Sequence, residues 1–83
     1  MKIGIAGSVE SNDTLITIQP ADQLLIEINS IVDAFFHDQI EKVIKDTLKE
    51  HNLEHVKVTC QDKGALDYTI KARLVTAINR MEE

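Results

Sequence analysis

Cysteine, glycine and aromatic residues are scarce in this 83-residue sequence, and their scarcity excludes several kinds of site. The one cysteine, Cys60, has no second cysteine to pair with, so an intramolecular disulfide and a cysteine metal cluster are excluded. The three glycines are scattered and form no phosphate-binding loop. Phe35, Phe36 and Tyr68 are too few for a platform on which nucleic acid bases could stack.

Positive charge and long apolar runs are lacking as well. Lysine and arginine number 9 against 14 aspartates and glutamates, and the resulting net charge of −5 disfavours a nucleic acid partner. No run approaches the roughly 20 apolar residues of a membrane helix, and the N-terminus lacks the apolar core of a signal peptide. We therefore expect a cytoplasmic protein with neither a membrane nor a nucleic acid partner.

The histidines and the cysteine predict neither a metal site nor a catalytic centre. His51 and His55 are four residues apart, but a predicted helix end lies between them and no third ligand is evident. Cys60 falls on the inner face of a predicted strand, where we expect a buried, inert thiol. With so few residues to build a core, residues 1–83 are expected to form a single domain that acts as a carrier or binding subunit rather than an enzyme.

Hydrophobic periodicity predicts three strands and two helices. Alternating apolar residues predict strands over 14–19, 23–29 and 54–61, and apolar residues at helical spacing predict helices over 31–51 and 65–81. The order β-β-α-β-α predicts an α+β fold, a two-layer sandwich in which a small three-stranded sheet carries two helices on one face. The first two strands are expected to form an antiparallel hairpin. The third is expected to run parallel to the second and to lie beside the first.

Each helix is expected to bury one apolar stripe. Ser30, with Asp33 three residues later, predicts the N-terminal cap of the first helix. The predicted buried residues of the first helix are Val32, Phe35, Phe36, Ile40, Val43, Ile44, Thr47 and Leu48. Those of the second helix are Leu66, Ile70, Leu74, Ala77, Ile78 and Met81.

Ser11 lies in the polar segment Glu10-Ser11-Asn12-Asp13, at the end of a leader, residues 1–13, that is rich in small and polar residues. We expect this leader to be flexible, with a short strand over 1–5 as the alternative. As a nucleophile, Ser11 has no base of its own. As the acceptor of a group transferred by another enzyme, its hydroxyl needs only to be exposed. Composition alone predicts an ordinary solvated loop.

Three segments in this order resemble the acyl carrier (gamma) subunit of citrate lyase. They are Ala6-Gly7-Ser8-Val9-Glu10-Ser11-Asn12-Asp13, Ile28-Asn29-Ser30, and Asp62-Lys63-Gly64-Ala65-Leu66-Asp67 leading into Lys71-Ala72-Arg73-Leu74. The last segment is the most specific, and the similarity covers nearly the whole chain. From its residues alone, the 62–67 segment is a strand-to-helix turn, which we expect to lie apart from Ser11.

The resemblance implies that Ser11 carries phosphoribosyl-dephospho-coenzyme A through a phosphodiester, because that family uses the serine of a Glu-Ser-Gly-Asp segment. It also implies a non-catalytic subunit, loaded by a prosthetic-group transferase. This subunit would move acetyl and citryl thioesters between the transferase (alpha) and lyase (beta) subunits as citrate is cleaved to oxaloacetate and acetate in citrate fermentation. Asn12 stands where the family often has glycine. Ser8 is a competing attachment site that lacks the flanking acidic residues.

Two alternatives stay open at this point. Within the carrier class, the related subunit of malonate decarboxylase is the second candidate, although the 62–67 segment favours citrate lyase. Outside that class, the chain could be a protein–protein interaction domain in which Ser11 is unmodified.

Overall fold

The computed structural model describes residues 2–83, without the side chains of residues 33 and 34. Four strands and two helices follow one another in the order β-β-β-α-β-α. They are β1 (Gly4–Gly7), β2 (Thr14–Pro20), β3 (Leu25–Ser30), α1 (Asp33–Glu50), β4 (Val56–Asp62) and α2 (Asp67–Glu82).

The strands form one sheet in the order β1-β2-β4-β3. β2 pairs antiparallel with both β1 and β4, whereas β3 pairs parallel with β4. Alternate residues of the strands are buried on one face, where both helices pack. The predicted α+β class is therefore confirmed, as are the parallel direction of β3 and β4 and the place of β4 beside β2.

The predicted hairpin between residues 14–19 and 23–29 is wrong, because β4 lies between β2 and β3. The inward side chains Val56, Val58 and Cys60 of β4 are almost wholly buried, whereas β3 exposes Leu25 and Glu27 and half-buries its inner residues. β4 takes the central position, where neighbouring strands satisfy its backbone on both sides. The short connection between β2 and β3 only has to pass the end of β4.

The sheet also has one strand more than predicted, because part of the leader 1–13 belongs to it. Gly4–Gly7 pairs with β2, from Gly4 opposite Ile18 to Gly7 opposite Leu15. Gly4 lets this strand lie against α2, since a Cβ atom there would come within 1.8 Å of the carbonyl oxygen of Ala77. Residue 1 lies outside the described residues, and the mobility of the segment that follows β1 stays a prediction.

The core lies between the sheet and the helices, and most of the predicted stripe residues belong to it. The buried apolar residues are Ala6, Ile16, Ile18, Ile40, Ile44, Leu48, Val56, Val58, Cys60, Ile70, Leu74, Ala77, Ile78 and Met81. The burial predicted for Phe35, Phe36 and Leu66 is wrong, since all three side chains are exposed. They lie near the N-terminal ends of the two helices, where Phe36 and Leu66 line a groove instead of packing in the core.

The predicted cap at Ser30 is also wrong. α1 begins at Asp33 after Val32, which makes no side-chain capping hydrogen bond. The hydroxyl of Ser30 accepts a hydrogen bond from the Val32 amide (3.1 Å) and donates one to the carboxylate of Asp62 (2.8 Å). Ser30 therefore ties the start of α1 to the end of β4, and the Asp33 side chain lies outside the described part.

Candidate functional site

Ser11 lies at the tip of the loop that joins β1 to β2. The amide of Asp13 donates a hydrogen bond to the carbonyl of Glu10 (3.1 Å), which closes a four-residue turn with Ser11 and Asn12 at its centre. Asn12 has a φ of 67°, the positive value that the third residue of a type II turn requires and that glycine or asparagine adopts most readily. Asn12 therefore adopts the backbone conformation that this position requires. The citrate lyase carrier family, which the sequence resembles, often has glycine here.

The hydroxyl of Ser11 is free to react with a group brought from outside. The residue is exposed, and its Oγ makes no hydrogen bond within residues 2–83. No base of this part of the chain is therefore placed to take its proton. The site offers an exposed hydroxyl on a hydrogen-bonded turn.

Ser8, the competing candidate, has its hydroxyl occupied. Its Oγ donates to Oδ2 of Asp13 at 2.7 Å and accepts from the Glu10 amide at 3.3 Å. Gly7, just before it, has a φ of 97°, and a Cβ atom there would lie 1.8 Å from the carbonyl oxygen of Thr14. Ser8 therefore belongs to the closed base of the loop, whereas Ser11 stands at its tip.

The carboxylate of Asp13 anchors the loop to α2. Arg73 donates from Nε to Oδ1 (3.0 Å) and from Nη2 to Oδ2 (3.3 Å), a forked pair between residues sixty positions apart. The Thr14 amide donates to Oδ1 as well, at 2.7 Å. The hydrogen bonds from Arg73, then those from Ser8 and Thr14, lower the pKa of Asp13 from its usual 3.8 to about 2.

The depressed pKa of Asp13 predicts a pH dependence of stability. A carboxylate whose folded pKa lies below its unfolded value stabilises the fold above the unfolded pKa. This contribution is lost as the pH falls from 3.8 towards about 2. In Asp13→Asn this component should be absent, so the free energies of unfolding of the two proteins should converge across that window. Denaturant unfolding at a series of pH values measures it, with Asp22→Asn in the exposed β2–β3 connection as the matched control. Parallel pH profiles for wild type and Asp13→Asn would contradict the role of this carboxylate.

The turn after β4 lies directly beside the Ser11 loop, so the expectation that residues 62–67 lie apart from Ser11 is wrong. The amide of Asn12 donates to the carbonyl of Lys63 (2.8 Å), and the amide of Lys63 donates to the carbonyl of Asp13 (2.9 Å). These two bonds extend the pairing between β2 and β4 into the connecting loops. The segment that made the resemblance specific therefore holds the serine loop in place.

Asp62 organises this second turn. Its carboxylate is buried and accepts hydrogen bonds from the Ser30 hydroxyl (2.8 Å) and from the amides of Gly64 (3.1 Å) and Ala65 (3.0 Å). Its carbonyl accepts from the amide of Ile31 (3.3 Å). Gly64 has a φ of 89°, which glycine adopts without strain. Asp62 thus fixes the 62–65 turn, and through Lys63 it also fixes the Ser11 loop.

An apolar groove of about 440 Å3 opens on the other side of this turn, between the N-terminal ends of α1 and α2. We call it the helix-end groove. The residues that line it are Val32, Phe36, Gln39, Ile40, Asp62, Gly64, Ala65, Leu66, Asp67 and Tyr68. Periodicity placed Phe36 and Leu66 in a core, and only the structure shows that they face a groove.

The remaining candidate groups form no site of their own. Burial raises the pKa of Cys60, whose thiol lies 3.3 Å from the hydroxyl of Thr14. Within residues 2–83, no three histidine, cysteine or carboxylate side chains are grouped to hold a metal ion. In the same part of the chain, no helix is long and apolar enough to cross a membrane. The arrangement therefore supports one chemical role, which is to present the hydroxyl of Ser11 to solvent.

The fold and the site together define a small domain that presents one serine hydroxyl, and comparison with known proteins gives the class. The family model described as malonate decarboxylase delta subunit (MdcD) matches residues 1–81. The citrate lyase acyl carrier protein of Streptococcus mutans is 45% identical over 78 residues, which cover 92% of this chain and 76% of that protein. That of Fusobacterium nucleatum is 42% identical over 83 residues, 98% and 88% of the two chains. The chain therefore belongs to the family of citrate lyase acyl carrier proteins.

A solved structure shares the fold at a greater distance in sequence. A chain in the crystal structure of a Pseudomonas malonate decarboxylase hetero-tetramer in complex with malonate has a TM-score of 0.84 and 16% identity. The match covers 96% of this chain and 84% of that one. The four-stranded sheet with two helices is thus also the fold of a chain in that hetero-tetramer.

Proposed function

We propose that this chain is the acyl carrier subunit of citrate lyase and that Ser11 is the attachment site of phosphoribosyl-dephospho-coenzyme A. The observation that carries the proposal is the exposed Ser11 hydroxyl at the tip of a hydrogen-bonded turn. The family to which the chain belongs supplies the class of cargo, an acyl group. Ser8 is the poorer candidate because its hydroxyl is already bonded to Asp13.

The residues around Ser11 suit a phosphodiester. Lys63 is bonded through its backbone to both residues that follow Ser11, and Arg73 is bonded to Asp13 two residues away. Arg73 keeps 43% of its side chain exposed, and no ion pair occupies the Lys63 ammonium among the described residues. Two residues with cationic side chains therefore contact the segment that follows Ser11, where a phosphate would add negative charge. These two basic residues are compatible with a phosphodiester at Ser11.

Loading would form one bond and break another. Oγ of Ser11 attacks the phosphorus of an activated phosphoryl donor, the bond from phosphorus to the leaving group breaks, and the leaving group departs with its electron pair. The hydroxyl proton passes to a base of the prosthetic-group transferase. This chain contributes the hydroxyl and a fixed turn that brings it to the transferase. When bound, the prosthetic group supplies a thiol that carries acyl groups.

The partners that we propose are the transferase (alpha) and lyase (beta) subunits of citrate lyase, in the cytoplasm. The carrier would hold acetyl and citryl thioesters and present them in turn to the two active sites as citrate is cleaved to oxaloacetate and acetate. Tethering keeps the acyl group near both sites at a high effective concentration. The net charge of −5 favours docking on basic surfaces of these subunits. The carrier itself would contribute no catalytic residue.

Malonate decarboxylase is the second candidate assembly, favoured by the description of the matching family model and by the shared fold. The identities of 40–45% to citrate lyase acyl carrier proteins favour the first. An interaction domain with an unmodified Ser11 is the third possibility. The assignment to citrate lyase predicts activity with one set of partner subunits only.

Reconstitution distinguishes the two assemblies. We expect the loaded chain to restore citrate cleavage to purified transferase and lyase subunits of citrate lyase that lack their own carrier. The same chain should not restore malonate decarboxylation to the corresponding subunits of malonate decarboxylase. The chain with unmodified Ser11 is the control in both reactions and should support neither. Restored malonate decarboxylation without citrate cleavage would overturn the assignment.

A further inference from the structure

We propose that the helix-end groove binds the thiol-bearing end of the arm attached to Ser11, so that the resting carrier shields this end from solvent. The inference rests on the proposed function, because it requires an arm at Ser11. The groove is then a second binding element of the carrier, distinct from the attachment residue. Its ligand is an uncharged, amphipathic chain that ends in a thiol or a small acyl thioester.

The groove and the attachment loop share one wall. Gly64 lines the groove, and a Cβ atom on it would lie 3.7 Å from Oδ1 of Asn12, the residue next to Ser11. The same Cβ atom would lie 3.8 Å from Cδ1 of Ile31, near the start of α1. The backbone of the 62–65 turn therefore lies between the serine loop and the groove. An arm on Ser11 can pass over this glycine without meeting a side chain on it.

Three large apolar or aromatic side chains line the groove and are exposed to solvent. Phe36 is 46% exposed, Leu66 60% and Tyr68 73%, and all three line the groove. Large apolar side chains gathered around one concavity mark a binding site more often than single exposed ones do. Covering them removes apolar area from water, which stabilises the bound state.

The polar groups of the groove select an uncharged ligand. The amide of Gln39 donates to both oxygens of the Asp67 carboxylate, at 3.0 and 2.9 Å. The carboxylate of Asp62 accepts three hydrogen bonds from within the chain. These two carboxylates are thus already paired, and the described residues that line the groove include no lysine or arginine. Phosphates and carboxylates would be repelled, which leaves the pantetheine portion next to the thiol as the part that fits.

The volume of the groove and the need for release set how tightly the arm can bind. About 440 Å3 is within the range of small-ligand sites, roughly 300–1,000 Å3. The arm must leave again to reach a partner's active site, so a modest preference for the bound state is sufficient. A docked state favoured by about tenfold corresponds to about 1.4 kcal/mol. The thiol should then be exposed about a tenth of the time.

The rate at which the thiol of the arm reacts measures the docked fraction directly. The chain is loaded by its transferase, intact mass confirms the addition, and the thiol is reacted with a chromogenic aromatic disulfide. We expect a rate about tenfold slower than that of free coenzyme A, matching the docked fraction. Cys60 is buried and contributes no background in the folded protein. The unloaded chain serves as the blank.

Two groove variants and one control variant test whether the groove causes the slow reaction of the thiol. Phe36→Ala removes an apolar wall, and Leu66→Glu adds a negative charge at the rim. Each should return the rate to within about twofold of free coenzyme A. Leu25→Ala on the edge strand β3 removes an exposed apolar side chain of comparable size outside the groove and should leave the shielding intact. Thermal unfolding of each variant checks that the fold is retained.

The outcomes separate the inference from the proposed function. If no mass is added at Ser11, the proposed function fails. If the mass is added but the thiol reacts as fast as free coenzyme A, the inference alone fails. Shielding that survives both groove variants also overturns it. Shielding that arises only after a citrate lyase subunit is added would make the groove a contact for that subunit instead.

Discussion

Replacing Ser11 with alanine is expected to abolish attachment of the prosthetic group. The variant lacks the oxygen that would form the proposed phosphodiester, and neither Ser8 nor Thr14 can take its place. Thr14 is buried and shares its hydroxyl with Cys60 and the carbonyl of Gln61, and Ser8 is bonded to Asp13. Incubation of the purified variant with the transferase and its donor, followed by intact mass analysis, should therefore show only the unmodified chain.

Ser8→Ala is the matched control for this experiment. It removes a hydroxyl from the same loop and one of the hydrogen bonds to Asp13, but the turn around Ser11 and the fork from Arg73 remain. We expect loading to go to completion. Both substitutions remove one oxygen atom and should retain the fold. A difference in loading between the two variants therefore identifies the serine that accepts the group. Complete loading of Ser11→Ala would show that the attachment site lies elsewhere.

Replacing Asp62 with alanine is expected to produce the largest loss of stability of any single change at the site. Three donors lose their acceptor at once, namely the Ser30 hydroxyl and the amides of Gly64 and Ala65. All three donors are half-buried, so each one left without a partner costs an amount near the low end of the range of about 1–3 kcal/mol for a buried group, and the total should be about 3–5 kcal/mol. For a domain of this size, this corresponds to a fall in Tm of more than about 10 °C.

Thermal and denaturant unfolding measure the effect of Asp62→Ala, with Asp22→Ala as the control. Asp22 lies exposed in the connection between β2 and β3 and should change stability by less than about 0.5 kcal/mol. Because Lys63 carries the backbone bonds to Asn12 and Asp13, the Asp62 variant should also show faster hydrogen exchange at the Asn12 amide. A stability equal to that of Asp22→Ala would contradict the role assigned to the buried carboxylate.

The parts of the fold that alternation predicts are those in which one face of a strand is buried. Ile16 and Ile18 on β2, and Val56 and Val58 on β4, alternate cleanly with polar residues and lie in the core. β1 could not be recognised in this way, because its inward residues, Gly4 and Ala6, are too small to give a hydrophobic pattern. Its place depends on contact with α2, which the local sequence does not specify.

The helical stripe shows which residues share a face, but it does not show what covers that face. Ile40 and Ile44 of α1 pack on the sheet and α2, as their spacing predicts. Phe36, one turn earlier on the same stripe, faces the helix-end groove. The groove is lined by residues of the 62–65 turn and of the starts of both helices. That geometry is a property of the tertiary structure, so periodicity could not reveal it.

The proposed attachment residue came from the sequence, whereas the structure that holds it in place could not be predicted. Ser11 follows from the resemblance around Glu10 and Asp13, but the pair of Asp13 with Arg73 spans sixty residues. Opposite charges in two matching segments, residues 6–13 and 71–74, were the one available signal for this pair. The contact of Lys63 with the serine loop explains in physical terms why the 62–67 segment was informative.

The most direct test of the central claim is to locate the modification on the protein as cells make it. The chain is isolated from cells that express it together with its prosthetic-group transferase and an active citrate lyase, and its peptides are sequenced by tandem mass spectrometry. We predict an added mass equal to phosphoribosyl-dephospho-coenzyme A, linked through phosphate to the peptide that contains Ser11 and assigned to that residue. An unmodified Ser11 in those cells, or the same mass on Ser8, would contradict the claim.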